Sequence, residues 1–495
     1  MAPALSRFAS SRTNTLPTLT PCFPTTKALQ VKLHFLGANR QVTGSRYCLE
    51  IAGTTVMVDC GLFQERPYED RNWDPCPIDP AQIDALLLTH VHIDHSGWIP
   101  RLVKEGFRGP IYATPPSVDM AAVMLEDSAK IHEEDAAFKA KRHRREGRQP
   151  RHSHEPLYTR EDVSRTLPNL QSVDYNAPLK IGDAMSVTFH EAGHILGSAM
   201  LQIQAREGDR QRSLIFSGDI GQWDKPLIRD PTLFDSADYV IMESTYGDRD
   251  HREAGDVSDQ LADVISSTVG RGGNVVIPTF AVERAQELIY YISELANQNR
   301  IPAIPVMLDS PMAVDITEIF QKHRNQFDEE SWERIYRGDP PLRFPGLSLC
   351  RSVESSKGIN KLNTPCVIMA TSGMCTGGRI KHHLKHNIGD PKATILFVGH
   401  QGRGTLGQQI VSGKPDVRIH GREHRVRAAV RQIYGFSGHG DRGDLLRWIS
   451  NIEQPRRVFL THGDEDAALA LAEHLQREHQ LDVHVPHYGD TVVLD

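Results

Sequence analysis

Apolar and polar residues alternate in the first part of the chain with the period of two that is typical of β-strands. The alternation begins at Val31–Leu36 and ends at Gly37. Further strands are predicted at Tyr47–Ile51, Thr55–Val58, Ser186–His190, Met200–Ile203, Ser213–Phe216 and Tyr239–Met242. Ala85–Thr89 is a short, mainly apolar run, which is typical of a strand buried on both faces. Between these groups of strands, the pattern from Pro116 to about Phe138 predicts a helix.

The pattern changes after about residue 230, where predicted strands and helices alternate. Strands are predicted at Asn274–Pro278, Pro305–Leu308, Cys366–Ala370 and Thr394–Val398, and helices begin near Val282, Met312, Arg379 and Thr405. This alternation is typical of a doubly wound α/β domain. The chain then ends with one more strand–helix pair, at Val458–Leu460 and Glu465 to Glu478.

Composition narrows the class of protein without locating a site. A chain of 495 residues predicts two to four domains, and its 39% hydrophobic and 24% charged residues exclude collagen-like, fully disordered and coiled-coil proteins. The net charge of −7 provides no overall attraction to nucleic acid. The 24 histidines are a surplus that points to metal or proton chemistry.

Cysteine usage and apolar runs indicate where the protein works. The seven cysteines include no CxxC pair, so we expect a reducing compartment and a cytoplasmic protein. No uncharged apolar run approaches the roughly 18 residues of a membrane span, so we expect no membrane partner. Residues 1–30 lack Asp and Glu and are rich in Ser, Thr and Pro, which suits a disordered extension or, as the less favoured alternative, an organellar targeting segment.

One short segment concentrates potential metal ligands. His90, His92, Asp94 and His95 follow the apolar strand directly, in the pattern H-x-H-x-D-H. In an extended segment His90 and His92 project to the same side, whereas Asp94 and His95 lie where the chain turns and can address a second point. Imidazole and carboxylate ligands of this kind suit zinc or another borderline divalent metal. A run of purely structural histidines is the alternative.

Two ions need more ligands than one loop provides, and the chain offers them at matching places. His194, Asp219 and His462 each follow a predicted strand closely, and each stands beside a glycine. Asp219 could bridge two ions.

These motifs resemble the metallo-β-lactamase superfamily, and the later ones resemble its β-CASP branch of ribonucleases. The superfamily features are H-x-H-x-D-H, the Gly-His and Ser-Gly-Asp motifs and Asp59 at a strand end; the β-CASP features are Glu243, His439 and His462 in their local motifs. The match extends from about Val31 to the end of the chain and looks like the bacterial and archaeal relatives of the cleavage-and-polyadenylation endonuclease subunit.

The resemblance implies an α/β fold, with a metallo-β-lactamase αββα sandwich interrupted by an inserted β-CASP doubly wound α/β domain. The implied boundaries are 31–229 and 431–495 for the two parts of the sandwich and 230–430 for the insertion. It also implies two Zn²⁺ ions, one bound by His90, His92, His194 and Asp219 and the other by Asp94, His95, Asp219 and His462. Asp59 would orient ligands without binding metal.

The implied activity is hydrolysis of single-stranded RNA that leaves 5′-phosphate and 3′-hydroxyl ends. Asp94 would serve the metal-assisted attack, and His439, oriented by Glu243, would donate the proton to the leaving oxygen; a structural hydrogen bond is the alternative role of that pair. Endonuclease and 5′-exonuclease action both stay open. A metallohydrolase of a small ester or thioester and an inactive scaffold subunit of an RNA-processing complex are the alternative functions.

Glycine-rich loops of the insertion are candidate phosphate sites, because backbone N–H groups and helix N-termini hold anions. The candidate RNA-binding residues are Arg284, Ser310, Ser372, Gly373, Arg379 and Thr405. Tight turns between strand and helix are the alternative explanation of these loops. A basic stretch from Lys139 to Arg151, predicted to be an exposed helix end and loop, is a further candidate for contact with RNA, with a solvated face as the alternative. Relatives are often homodimers, but no interface stripe stands out.

Overall fold

In the computed structural model, which describes residues 31–147, 152, 154–207, 210–251 and 256–495, two seven-stranded sheets pack face to face. The first sheet contains β1 (Val31–Phe35), β2 (Tyr47–Ile51), β3 (Thr54–Val58), β4 (Ala85–Leu87), β5 (Ile111–Ala113), β6 (Leu170–Ser172) and the C-terminal β22 (Thr491–Leu494), in the order β22-β1-β2-β3-β4-β5-β6. The second contains β7 (Leu179–Ile181), β8 (Met185–Glu191), β9 (Ala199–Glu207), β10 (Arg210–Phe216), β11 (Tyr239–Glu243), β20 (Arg457–Thr461) and β21 (Val483–His484), in the order β21-β20-β11-β10-β9-β8-β7.

The alternating strands explain how the two sheets meet. In β1 the residues Val31, Leu33 and Phe35 are buried and the residues between them are partly exposed. These apolar side chains share one core cluster with Val187 of β8 and Leu214 of β10, so they fill the space between the sheets.

Helices cover the two outer faces of the sandwich. The helices α1 (Ile93–Ser96), α2 (Ile99–Lys104), α3 (Pro115–Glu146) and α4 (Arg160–Thr166) lie on the side of the first sheet, and α12 (Arg442–Ile449) and α13 (Glu465–Glu478) cover the second. The result is the predicted αββα arrangement.

A six-stranded parallel sheet forms the inserted domain. Its strands are β12 (Val275–Pro278), β13 (Val306–Leu308), β14 (Leu347–Leu349), β15 (Val367–Ala370), β16 (Thr394–Phe397) and β19 (Ala429–Gln432), in the order β14-β13-β15-β12-β16-β19. The accompanying helices are α5 (Val257–Gly270), α6 (Arg284–Asn297), α7 (Pro311–Lys322), α8 (Glu329–Tyr336), α9 (Val353–Ile359), α10 (Ile380–Asn387) and α11 (Leu406–Val411). A separate hairpin, β17 (Asp416–Ile419) and β18 (Arg422–Arg425), follows α11.

Sheet pairing moves the limits of the insertion. The predicted range 230–430 includes β11, but β11 pairs in parallel with β10 and β20 and therefore belongs to the sandwich. At the other end β19 pairs with β16 and extends the inserted sheet past residue 430. A change in local pattern cannot show which sheet a strand joins, because that choice depends on pairing with β20, more than 200 residues later in the chain.

One further local prediction differs from the structure. The helix predicted to end near Phe138 continues as α3 to Glu146 and ends at Gly147, whose φ of 63° closes it with a left-handed residue. The charged residues after Phe138 therefore lie on a helix. Residues 1–30, predicted to be a disordered extension or a targeting segment, and Arg148 and Arg151 of the basic stretch lie outside the described residues. None of the helices described combines the length and apolarity needed to cross a membrane.

Candidate metal centre

The candidate ligands lie at one edge of the sandwich, where several strands end. β8, β10, β11 and β20 run in the same direction, because β9 is antiparallel to β8 and β10 while β10, β11 and β20 pair in parallel. The carboxyl ends of strands that run together meet at one edge of a sheet. His194, Asp219 and His462 follow β8, β10 and β20 and meet there, beside the segment 90–95 that follows β4.

Three imidazoles and one oxygen of Asp219 form the first group. His90 Nε2 and His194 Nε2 each lie 3.1 Å from His92 Nδ1. They lie 3.4 and 3.5 Å from Asp219 Oδ2. Burial lowers the pKa of His90 to about 3 and that of His92 to about 4. These rings are therefore neutral near pH 7, and a neutral imidazole is the form that binds a metal.

The second group uses the other oxygen of Asp219. His95 Nε2 lies 3.2 Å from Asp219 Oδ1, and His462 Nε2 lies 3.5 Å from both Asp219 Oδ1 and Asp94 Oδ2. Burial alone would lower the pKa of His462, but Asp219 and Asp94 raise it. This half of the site thus attracts positive charge. Asp219 faces one group with each oxygen, as a carboxylate that bridges two ions would.

The spacing of the donor atoms fits a small tetrahedral ion. Zinc ligands at 2.0–2.1 Å in a tetrahedron lie about 3.4 Å from one another, and the ligand atoms above are separated by 3.1 to 3.5 Å. Asp219 Oδ1 and His462 Nε2 are buried and have no hydrogen-bond partner among the described residues. Buried polar atoms without partners are costly, so an ion between them is the physical explanation that the chemistry favours.

Two glycines allow the ligand loops to pack closely. A Cβ on Gly61 would lie 1.6 Å from the carbonyl oxygen of Asp94, and a Cβ on Gly221 would lie 1.7 Å from that of Gly193. Any side chain at either position would displace a loop that carries a ligand. Close backbone approach therefore explains these glycines beside the candidate ligands.

Asp59 contacts the second group on the Nδ1 side of the His95 ring. Its Oδ2 accepts hydrogen bonds from His95 Nδ1 at 2.7 Å and from Thr89 Oγ1 at 2.8 Å, and its Oδ1 accepts one from the Thr89 backbone N–H at 2.8 Å. A proton held at Nδ1 leaves Nε2 of His95 as the atom that would face a metal. Burial alone would lower the pKa of His95, but Asp219 and Asp59 raise it well above its ordinary value. The Thr89 N–H thus bonds a side chain rather than a neighbouring strand, and β4 ends at Leu87, two residues before the predicted end.

His439 lies at the rim of the same site and is paired with Glu243. His439 Nδ1 is 3.0 Å from Glu243 Oε2 and 3.2 Å from Oε1, while Oε1 also accepts the Ile220 N–H at 2.5 Å. Burial opposes a charge on this ring, but Glu243 and Asp219 raise the pKa of His439 to about 9. Its ring centroid is 4.6 Å from that of His194. The arrangement holds a protonated imidazole against the metal ligands.

Most of the predicted RNA-binding residues have other partners in the structure. The Ser310 and Thr405 hydroxyls accept the Ala313 and Gln408 N–H groups and cap α7 and α11. Arg379 donates to the buried carboxylate of Asp309 at 2.7 Å and to two backbone carbonyls. Arg284 donates to the Val398 carbonyl at 2.6 Å. These contacts support the structural alternative, in which the residues shape strand-to-helix turns.

Ser372 and Gly373 lie in a loop that faces an exposed aromatic ring. The Ser372 hydroxyl accepts the N–H groups of Thr376 and Gly377 at 3.0 and 3.3 Å. A Cβ on Gly373 would lie 2.9 Å from the ring of Phe280, so glycine lets the ring lie against the loop. Phe280 is 41% exposed, and an exposed ring beside the loops of the insertion offers a surface on which a base can stack. The sequence pattern does not single out Phe280, because a phenylalanine that follows a strand is typical of a buried core residue.

Glu283 and Lys225 join the inserted domain to the metal centre and were also missed. Glu283 Oε2 accepts the N–H of Leu196, two residues after His194, at 3.2 Å. Its backbone has a φ of 63°, which is uncommon for a residue other than glycine. Lys225 bonds Glu287 on α6 and the Gly435 carbonyl. No local pattern in the sequence points to Glu283 or Lys225. Their roles follow from the positive φ of Glu283 and from contacts between residues that are remote in the chain.

Three family models match the chain. They describe a metallo-beta-lactamase superfamily domain over residues 48–222, a Beta-Casp domain over 285–410 and a Zn-dependent metallo-hydrolase RNA specificity domain over 423–486. The first and third cover the ligand loops, and the second lies within the inserted domain.

Known proteins are similar over most of their length. Ribonuclease TTHA0252 of Thermus thermophilus is 40% identical over 92% of this chain and 98% of that protein. The transcription termination factor FttA of Methanocaldococcus jannaschii is 32% identical over 93% of this chain and 71% of that protein. A crystal structure of a protein of unknown function from Enterococcus faecalis V583 aligns with 94% of this chain at a TM-score of 0.52 and 12% identity, which shows a shared fold alone.

Proposed function

The chain belongs to the β-CASP ribonuclease family of the metallo-β-lactamase superfamily, and from that premise we propose that it is a two-zinc ribonuclease that cleaves single-stranded RNA. The arrangement of Asp219 carries the proposal. One oxygen of this carboxylate faces His90 and His194, and the other faces His95 and His462. A bare structural cluster of histidines would not need a carboxylate shared between two sets of ligand atoms.

His90, His92 and His194 would hold one zinc ion, Asp94, His95 and His462 the other, and Asp219 both. A bound pair of zinc ions would lower the pKa of a water molecule and stabilise charge on the phosphate oxygens. Asp94 lies in the first turn of α1 and its side chain is 19% exposed, so it can face a water at the mouth of the site as well as a metal. Asp59 keeps His95 in the tautomer that binds.

His439 would complete the reaction on the leaving side. As the oxygen of water forms a bond to phosphorus, the bond from phosphorus to the ribose O3′ breaks and O3′ needs a proton. Glu243 engages Nδ1 of His439, which leaves Nε2 as the atom that would donate this proton. The products are a 3′-hydroxyl on one fragment and a 5′-phosphate on the other.

Phe280 and the loops of the insertion would position the strand. The loop that follows β12 carries Phe280 and, through Glu283, contacts the loop of His194. A base stacked on Phe280 would therefore lie on the loop that contacts the metal centre. Stacking requires an unpaired base, which favours single-stranded over double-stranded RNA.

Cleavage of labelled RNA tests this function. Zinc-loaded protein would be incubated with 5′-labelled single-stranded RNA, with DNA of the same sequence, and beside the variant Asp94→Ala/His95→Ala. We expect RNA cleavage by the unaltered protein and loss of cleavage and of one zinc ion in the variant. The matched control is Asp183→Ala/His479→Ala, which removes the same residue types at exposed positions and should cleave normally.

The products distinguish the remaining alternatives. Internal fragments would indicate an endonuclease, and single nucleotides released from the 5′ end would indicate a 5′-exonuclease. Absence of cleavage by zinc-loaded protein would refute the ribonuclease proposal. An inactive scaffold subunit of an RNA-processing complex would then be the better explanation. Hydrolysis of small esters at a higher efficiency than RNA would favour the small-molecule alternative.

We also propose a cytoplasmic site of action and a homodimer, both as expectations. Cys48, Cys60, Cys76, Cys350, Cys366 and Cys375 are free thiols, which suits a reducing compartment. The homodimer rests on the family resemblance alone. Light scattering at several protein concentrations would test it, and a monomer at all of them would remove the expectation.

A further inference from the structure

One surface of the inserted domain combines cations from two distant parts of the chain. We call it the α10–hairpin surface and define it as Lys381, His382, Lys385 and His386 on α10 together with His420, Arg422 and His424 on and beside the β17–β18 hairpin. None of these residues has a role in the metal centre. They include several of the histidines that the metal centre leaves unexplained.

The hairpin packs against α10 and brings the two groups together. The rings of His382 and His420 lie 4.5 Å apart at an angle of 34°. In the hairpin register Val417 is opposite His424 and Ile419 is opposite Arg422. Because opposite residues share a face of a β-hairpin, His424 and Arg422 lie on the side of the buried Val417 and Ile419, which belong to the same core cluster as Ile380 and Leu384 of α10.

The charges of this surface are not neutralised by the described residues around it. No carboxylate oxygen of a described residue lies within 4 Å of the side-chain nitrogens of Lys381, Lys385 or Arg422, whereas Arg425 on the opposite face pairs with Asp416 at 2.9 Å. Burial and then the nearby His382 and lysines lower the pKa of His420. The smaller, electrostatic part of this shift comes from the cations of the same surface.

The basic end of α3 is different, although the sequence pattern there is more conspicuous. Lys139 lies 4.0 Å from Asp135, and Arg142 lies 3.9 Å from Glu146. Arg145 also faces Glu146, at 3.7 Å. Lys139, Arg142 and Arg145 therefore have acidic neighbours on their own helix, whereas Lys381, Lys385 and Arg422 have none among the described residues.

A chain of contacts links the α10–hairpin surface to the metal centre. Glu283 bonds the loop of His194. Phe280, three residues before it, lies against Gly373. The loop of Gly373 leads directly from β15 into α10. A strand that leaves the metal centre across Phe280 would reach α10 next.

We propose that the α10–hairpin surface binds the phosphate backbone of the RNA strand beyond the cleft, an inference that rests on the proposed function. The surface would recognise a row of phosphate groups, irrespective of the base sequence. A second copy of this chain is a poor alternative, because two copies of one cationic patch repel each other. None of the large apolar side chains exposed in the described residues lies on this surface.

Salt dependence of binding tests the proposal. The triple variant Lys381→Gln/Lys385→Gln/Arg422→Gln would be compared with Lys139→Gln/Arg142→Gln/Arg145→Gln, which removes the same charge from α3. Both would be made in a His439→Ala background to slow cleavage. Fluorescence anisotropy would measure the Kd of labelled oligo(U) of 6 and 30 nucleotides at several KCl concentrations, and circular dichroism would confirm that each variant is folded.

The expected change follows from counterion release. Each phosphate contact on a single strand contributes about 0.7 to the slope of log Kd against log salt, so loss of three contacts lowers the slope for the 30-mer by about 2. When KCl rises from 50 to 200 mM, the factor by which affinity falls would then be about twenty times smaller for the triple variant than for the parent. The 6-mer, which presents fewer phosphates, should show a smaller change in slope, and the α3 control should show none.

Three results would overturn the proposal. The first is an unchanged slope for the 30-mer in the folded triple variant, and the second is an equal decrease in the α3 control. The third is a change in oligomeric mass of the triple variant without a change in slope, which would assign the surface to contacts between copies. If the protein fails to cleave RNA although the slopes behave as expected, the proposed function is contradicted. The assignment of the α10–hairpin surface as a site that binds RNA is then retained.

Discussion

Replacing Asp59 with Asn removes one hydrogen-bond acceptor behind the second metal group while it keeps size and backbone. Asp59 has a φ of 54°, and Asn is one of the residues that tolerate this left-handed conformation. Three N–H and O–H groups, from Thr89 and His95, point at the two carboxylate oxygens within 2.7 to 2.8 Å. An amide offers one acceptor in place of two, so one of these donors must face an NH₂ group.

Either orientation of the amide disturbs the metal group. An NH₂ directed at His95 forces that ring to move its proton from Nδ1 to Nε2, where it can no longer bind a metal. An NH₂ directed at the Thr89 N–H leaves a buried donor unpaired, at a cost of about 1–3 kcal/mol. Loss of such a supporting partner typically weakens metal binding about 10- to 100-fold, or about 1.4–2.7 kcal/mol.

A competition titration with a chromophoric zinc chelator would measure this loss. In Asp59→Asn we expect one zinc ion to bind about 10- to 100-fold more weakly and the other, held by His90, His92 and His194, to bind nearly as before. Asp84→Asn is the matched control, because Asp84 accepts a single backbone N–H, from Thr55 at 2.8 Å, away from the site. Two unchanged zinc affinities in Asp59→Asn would refute the orienting role, and equal weakening of both would refute the division into two groups.

Three further substitutions test the proton donor, the stacking surface and the domain joint. His439→Ala should retain both zinc ions and lose about 10²- to 10⁴-fold in kcat; a fall in metal content would show that His439 is a ligand. Phe280→Ala should weaken binding of single-stranded RNA by about 1–3 kcal/mol without changing zinc content, and an unchanged Kd would remove the stacking role. Burial and the neighbouring Glu287 raise the pKa of Glu283 to about 8, so the folded state retains a proton that the unfolded state loses above its ordinary pKa of about 4.5, and stability should fall as pH rises from about 5 to 8. Glu283→Gln keeps an acceptor for the Leu196 N–H and should reduce this dependence in thermal unfolding; equal slopes in both proteins would contradict it.

Local pattern was sufficient for most strands and for the type of site. Tyr47–Ile51 and the helix from Glu465 to Glu478 have the limits that alternation and helical spacing predict. The residues of H-x-H-x-D-H, with His194, Asp219 and His462, come together as one cluster, because each follows a strand whose end lies at the same edge. The end of a strand is marked by residues that are close together in the chain, so it can be predicted from the sequence.

Sheet membership and the use of charged side chains were not predictable in the same way. The strand β11 looked like part of the insertion until its pairing with β20 placed it in the sandwich. Arg379 looked like a phosphate ligand, but its guanidinium is held by Asp309, 70 residues earlier in the chain. Both outcomes depend on partners that are remote in sequence, and one sequence does not show which partners meet.

The sequence by itself determined the candidate metal ligands, because ligand chemistry depends on residue types at strand ends and on short spacings, and the resemblance of its motifs to a known family indicated the reaction class. Only the tertiary structure decided which oxygen of Asp219 faces which imidazoles, that Glu283 supports the loop of His194, and that the cations of α10 meet those of the hairpin. The physical reason is that hydrogen bonds and uncompensated charge are properties of neighbours in space. Burial then fixes their strength, because a buried group has no water to replace a missing partner.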